Sequence, residues 1–399
     1  MSRQGSLKAV FASLVSAFLF ACSQPSAPSD ATQPAVVEEQ SPEALSDLQA
    51  WVEQARSEHS VIALGAVVAS KEGVLDIAVS GVRARTSDDP ALASDQWHIG
   101  SNTKALTALL YANLVERDLA SWNATLPDLF PDLAEEMDPA WRTVTIEDLF
   151  AHRSGLQQMG GFWLNARRND ERPVTEQRSA VTQAVLSNPP SKSPGEFDYN
   201  NLNYILAGAA IEYVLASQDD LPDSWEEAMQ AILFDALEDE HVRNGFGFGP
   251  PPSGLEGHRG ILGTFFNPVG RGATADNPMV LGPAGTMHAS LEAHASLALE
   301  FLKEDSEIVP VSTREKLFTP HPDAEGDYAM GWGVYDDPTY GQLYLHNGSN
   351  TMWTSRIIIA PELDRVVIVN ANQFSKPVRD ALRAVSVKAL DDALAKKAR

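Results

Sequence analysis

Hydrophobic and polar positions divide the chain into strand-like stretches toward both ends and a helix-rich middle. Leu45, Leu48, Val52 and Ala55 recur at helical spacing. Ser41-Pro42-Glu43 before them has the form of a helix start, with Ser as N-cap and Pro at the first helical position. Two β-rich runs, Val61 to Ser70 and Val74 to Val82, flank Lys71-Glu72-Gly73 and predict a hairpin. Lys104 to Arg117 predicts a helix, and the middle, to about Leu302, mixes helical segments with long Gly/Pro loops. Strand-like runs return at Met330 to Tyr335, Gln342 to Asn347, Thr354 to Ala360 and Arg365 to Asn370. Pro361-Glu362-Leu363-Asp364 makes the turn between the last two. Pro377 to Lys396 predicts a closing helix, with Val378, Leu382, Val385 and Leu390 among its apolar positions. The economical packing is an α/β fold, with one antiparallel sheet from both chain ends, flanked by the terminal helices, plus a mostly helical second region. A groove between the two is the expected ligand site.

The first 41 residues read differently. Arg3 and Lys8 precede an apolar run, Ala9 to Phe20, interrupted only by serines. It is too short to span a bilayer, which takes roughly 20 residues, and fits the apolar segment of a secretory signal. Its end, Leu19-Phe20-Ala21-Cys22, resembles a bacterial lipoprotein signal, in which the cysteine becomes the lipid-bearing N-terminus. Residues 1–22 are therefore expected to be a lipoprotein-type signal peptide with Cys22 lipidated. Residues 23–41, rich in Ser, Pro, Ala, Gln and Thr, are expected to be a disordered linker. Residues 42–399 form the expected folded domain, held in the cell envelope at a membrane through its lipid anchor.

Composition narrows the function. With 44% apolar residues over 399 positions, the chain can build a large core without metal or disulfide staples. A net charge of −24 argues against nucleic acid as a partner. One cysteine excludes an internal disulfide framework and a Cys-rich zinc site. No cofactor or metal is called for. Gly-x-Ser-x-Gly and His-Glu-x-x-His do not occur. Gly245-Phe246-Gly247-Phe248-Gly249 reads as a loop rather than a nucleotide fingerprint. His288 and His294 read as surface or capping residues, and Glu226-Glu227 and Asp219-Asp220 as solvated helix ends or turns.

Three short motifs carry chemistry. Ser101-Asn102-Thr103-Lys104 opens a helix, and residues three apart share a face, so Lys104 can reach the Ser101 hydroxyl. Such a hydroxyl is a weak nucleophile without this help. Alone, the tetrapeptide is better read as an N-cap serine with a surface lysine, since such matches are common. Tyr199-Asn200-Asn201 follows a Pro/Gly loop; a tyrosine in a cationic pocket can serve as acid or base, and Asn201 can donate to a substrate carbonyl. His346-Asn347-Gly348-Ser349 ends a strand, where Gly348 would let a substrate backbone approach and the Ser349 amide is a candidate oxyanion donor.

Taken in order, the three resemble the penicillin-recognising serine hydrolases: class C β-lactamases, D-alanyl-D-alanine carboxypeptidases of the same fold, and esterase relatives. Thr145 to Leu156, Ser193 to Ile211, Gly282 to Thr286 and Tyr328 to Gly333 also resemble family patterns, so the likeness runs from about Leu45 to the C-terminus. The resemblance implies a β-lactamase-like fold and an acyl-enzyme on Ser101, with Lys104 and Tyr199 as its acid–base partners. Which of the two takes the serine proton stays open. It further implies an oxyanion hole from the amides of Ser101 and Ser349, and substrate contacts from Asn201, His346 and Gly348. At the third motif β-lactamases carry lysine; His346, with an ordinary pKa of about 6.5, is mostly neutral at pH 7.5, which favours the peptidase and esterase branches. Insertions at about 157–190 and 244–281 carry Phe162, Trp163, Phe246, Phe248, Phe265 and Phe266, which either wall the substrate or fill satellite cores. The function expected is a serine hydrolase cleaving an amide or ester of a D-amino-acid peptide or a small molecule. The alternative is a non-turnover penicillin-binding or envelope-interaction lipoprotein.

Overall fold

In chain order the strands are β1 (Ala63–Ser70), β2 (Gly73–Gly81), β3 (Gln96–His98), β4 (Phe246–Phe248), β5 (His258–Ile261), β6 (Phe265–Pro268), β7 (Met287–Ser290), β8 (Gly333–Asp337), β9 (Gly341–Ser349), β10 (Thr354–Ala360) and β11 (Arg365–Ala371). They come from a computed structural model that describes residues 46–156, 160–261, 265–323 and 326–399. The expectations for the signal segment 1–22 with Cys22, the linker 23–41 and the helix start at Ser41 lie outside the described residues, as does the Phe162 side chain.

The main sheet, six-stranded among the described residues, has the order β2-β1-β11-β10-β9-β8. Every neighbouring pair is antiparallel, so both chain ends build it, as the alternation predicts. Its central strands are buried on both faces, which is why β11 reads as the continuous run Val366-Val367-Ile368-Val369. Val366 and Ile368 face the large core under the middle of the chain. Val367 and Val369 face a second core under the helices Asp47–Glu58 and Lys376–Lys397. Burying one such side chain is worth about 1.5–3 kcal/mol.

Several local expectations are revised. The first described helix starts at Asp47, where the Ser46 side chain accepts from the Gln49 amide at 3.1 Å. Strand β8 starts at Gly333, not Met330. Gly331, at φ +80°, packs so tightly on the helix Thr103–Glu116 that a Cβ there would lie 2.8 Å from Ala105. The second region also holds small sheets, β3-β7-β4 and β5-β6. Gly245 to Gly249 contributes β4, not a loop; a Cβ on Gly247 would strike the His288 ring at 2.4 Å, so the glycine allows close pairing with β7. Phe246 stacks on Phe234 with centroids 4.2 Å apart, and Phe248 packs edge-on against Trp225 at 5.2 Å. These two aromatics fill core. Phe265 is exposed, and Trp163 stacks on the Arg167 guanidinium at 3.9 Å. His288 and His294 are buried rather than at the surface, and burial holds both at about 4. Glu226 is no solvated helix end, for it is ion-paired with the buried Arg178 at 2.6 Å.

Candidate active site

The site forms where the helix Thr103–Glu116 meets the end of β9. Two glycines make that junction. Gly100 has φ +54°, and a Cβ there would lie 2.4 Å from the Ser349 nitrogen; a Cβ on Gly348 would lie 1.9 Å from the Ile99 oxygen. Only glycine fits either position, and the interlock sets the amides of Ser101 and Ser349 close together. Gly348 is thus required by the packing of this chain on itself, and it also lines the cleft. Strand β8 pairs with Gly341 to Leu345 only, so His346 to Ser349 run past its end.

Lys104 is completely buried, and its Nζ lies 2.6 Å from the Ala284 oxygen, 2.8 Å from Asn201 Oδ1 and 3.2 Å from Ser101 Oγ. A neutral amine has two N–H donors and one lone pair. Two of its three neighbours only accept and so take N–H donors; the third, the Ser101 hydroxyl, can accept an N–H from the ammonium or donate to the lone pair of the neutral amine. Burial pulls Lys104 down to about 7. Asn201 therefore anchors Lys104 through its carbonyl oxygen, which leaves its amide nitrogen for a substrate carbonyl.

Tyr199 lies beside them, its ring 5.0 Å from Lys104 Nζ. Burial pushes its phenol up to about 12, against the opposing effect of a hydrogen bond with the Ser101 side chain. It is a protonated donor at neutral pH. His152 packs under its ring with centroids 4.3 Å apart. Its left-handed backbone, at φ +59°, is held as its Nδ1 meets the Asn203 amide nitrogen at 3.0 Å and the Asn200 N–H at 3.4 Å. His346 is buried with Nε2 3.1 Å from the Tyr328 hydroxyl, and burial, reinforced by Lys104, lowers it to about 3. It is neutral throughout the working pH range.

Ser101, Lys104, Tyr199, Asn201, His346, Gly348 and Ser349 are therefore brought together as the sequence suggests. His152, Tyr328 and the Ala284 carbonyl were missed. All three lie in segments that carry the family pattern, yet their roles depend on contacts across the fold. A cleft of about 640 Å³ runs from Ser101, Tyr199, Tyr328 and His346 round the β9 edge to Arg356, Arg379 and Arg383. None of Trp163, Phe246, Phe248, Phe265 and Phe266 lines it, so these five aromatics do not wall the cleft.

Comparison with known proteins gives the family and the fold. Residues 48–391 match the family model described as Beta-lactamase. Protein flp of Staphylococcus aureus (strain MW2) is 24% identical over 297 residues, covering 72% of this chain and 55% of flp. The chain thus spans about half the length of the curated relatives it matches. Among solved structures, the D-amino acid amidase from Ochrobactrum anthropi SV3 superposes with a TM-score of 0.68 at 17% identity, over 89% of this chain and 100% of that one. The penicillin binding protein from Bacillus halodurans superposes with a TM-score of 0.67 at 21% identity, over 85% and 98%. At such identities the likeness establishes the fold.

Proposed function

The chain belongs to the beta-lactamase family, and from that premise we propose that it is a serine hydrolase that cleaves an amide of a D-amino-acid peptide through an acyl-enzyme on Ser101. The observation that carries the proposal is the buried Lys104 amine, which the Ala284 carbonyl and Asn201 Oδ1 hold with Nζ 3.2 Å from Ser101 Oγ.

The steps follow from the protonation states. Neutral Lys104 takes the Ser101 proton as Oγ bonds to the substrate carbonyl carbon. The oxyanion is received by the amides of Ser101 and Ser349; one such donor is typically worth about 2.7–4 kcal/mol of barrier. Tyr199, protonated because burial raises it, gives its proton to the leaving nitrogen as the C–N bond breaks, and the proton on Lys104 is relayed back to restore the phenol. Water then attacks the ester with the same groups in reverse order, releasing the acid and free Ser101. His346, uncharged, lines the pocket and supplies no cation to a substrate carboxylate.

The cation comes instead from the far end of the cleft. Arg356 donates from Nη1 to Asn347 Oδ1 at 2.9 Å, and its Nε is buried without a partner among the described residues. Burial, then the neighbouring Arg383 cation, lowers Arg356 to about 10. In a chain of net charge −24, adjacent arginines of this kind are relieved by an anion. This favours a substrate with a free carboxylate over a neutral ester. The test compares hydrolysis of an N-acyl-D-alanyl-D-alanine with that of its C-terminal amide. The free acid should be preferred by about 10–100-fold, as suits a charge-assisted hydrogen bond, and Arg356→Ala should erase the preference. Equal rates in the wild type would remove the carboxylate and favour the ester branch.

We infer from Arg3 to Cys22 that the enzyme is exported and lipid-anchored in the cell envelope, with residues 23–41 as its tether. Mass analysis of the membrane fraction from producing cells tests this. A diacylglyceryl-modified Cys22 at the N-terminus supports it, and retention of residues 1–22 contradicts it.

A further inference from the structure

The insertion at about 244–281 has no part in the mechanism above, yet one of its side chains lies behind the catalytic junction. Asp276 is buried at 3% exposure. Its Oδ1 is 2.8 Å from His98 Nε2 and accepts from the Asn350 amide at 2.9 Å and from the Asn277 backbone N–H at 2.6 Å. His98 Nδ1 accepts the Gly100 N–H at 3.1 Å, which assigns a ring proton to Nε2, the nitrogen 2.8 Å from the carboxylate. Asn350 turns the chain after Ser349, its Oδ1 accepting the N–H groups of Met352 and Trp353 at 3.1 and 3.2 Å. The next residue of the insertion, Asn277, donates from Nδ2 to the Gly285 oxygen at 3.1 Å, one residue beyond the carbonyl that receives Lys104.

The geometry points to Asp276 as a positioning residue that holds the oxyanion hole together from behind. Through His98 it fixes the Gly100-Ser101 peptide, through Asn350 the end of β9 at Ser349, and through Asn277 the segment that seats Lys104. These three segments are far apart in sequence, and each supplies one part of the proposed machinery. The inference rests on the hydrolase reading. Asp276 is absent from the lining of the cleft, so it acts through the groups it holds. Oxyanion donors must lie about 2.7–3.1 Å from the developing charge, and a 1 Å misplacement of reacting groups costs about 100-fold in rate.

The test uses the whole chain and a fluorophosphonate probe, with labelling rates normalised to titrated active sites and melting temperatures recorded alongside. Asp276→Ala should lower the limiting labelling rate by about 30–100-fold and leave the half-saturating probe concentration nearly unchanged. Asp276→Asn keeps an acceptor at Oδ1 and places its amide nitrogen where Oδ2 is buried without a partner, so it should retain the rate to within about 10-fold. A purely structural role would instead reduce the active fraction or the melting temperature and leave the rate per site unchanged, which would overturn the inference. So would an Asn variant no better than Ala. A wild type that is never labelled counts against the hydrolase reading. The clamp is then decided by the ¹⁵N shifts of His98: a proton on Nε2 that responds to Asp276→Ala supports it, and a proton on Nδ1 overturns it.

Discussion

Replacing Lys104 with methionine is expected to lower acylation of Ser101 by about 10³-fold or more and to abolish its rise with pH. In the wild type, burial depresses the lysine to about 7. Its lone pair is therefore blocked by a proton below that pH and available above it, so the acylation rate should climb through pH 7 and level off. Methionine fills similar space but offers neither lone pair nor charge, so the variant's rate should be low and flat across that range. Stability carries the same signature. A lysine whose folded pKa lies below its ordinary 10.5 is protonated more in the unfolded chain between about 7 and 10.5. Wild-type stability should therefore rise with pH across that window relative to the variant. Stopped-flow labelling and urea melts at pH 6, 7 and 8.5 measure both. A Lys104→Met protein that keeps the ascending limb would transfer the base role to Tyr199.

The second large effect concerns stability. Arg178→Ala should destabilise the fold by about 3–5 kcal/mol, because it strands two carboxylates. Arg178 is fully buried, with Nη2 at 2.5 Å from Glu212 Oε1 and 2.6 Å from Glu226 Oε2. Burial works against its charge, but the two carboxylates prevail and hold it above its ordinary range. Glu212 is raised by burial even with that partner. The triad also supports the site. A Cβ on Gly282 would fall 2.7 Å from Glu226 Oε1, so the segment Gly282–Gly285, which offers the Ala284 oxygen to Lys104, rests directly on it. Urea unfolding should show the loss, and the triple variant Arg178→Met, Glu212→Gln, Glu226→Gln should recover much of it. A single variant within 1 kcal/mol of wild type would contradict the assignment.

How much of this was legible beforehand depends on the range over which each residue acts. The sheet from both chain ends could be read because Val366 to Val369 and Ile357 to Ile359 are long β-branched runs bounded by turn residues. The helix expected over Lys104 to Arg117 is present as Thr103–Glu116, with its residues buried nearly all round. Strand β4 was misread because alternating glycines look like a loop until His288 is placed beside them. Ser101 and Lys104 share a helical turn and were local enough to infer. Asp276 is far from both His98 and Asn350 in sequence, and no local pattern links them. Arg356 looks like an outward charge on a strand; only the placement of Arg383 on the closing helix turns the two into one cationic end of the cleft. Glu226 likewise read as solvated because its partner, Arg178, lies on another helix.

Activation of Ser101 can be measured by intact mass after incubation with a fluorophosphonate and, separately, with a penicillin, on wild type and Ser101→Ala. The predicted result is one phosphonate adduct per wild-type chain, a penicillin adduct that persists for minutes or longer, and neither on Ser101→Ala. Folded wild-type protein that gains no mass from either reagent would contradict the account and leave the chain as a non-catalytic binding protein of this fold.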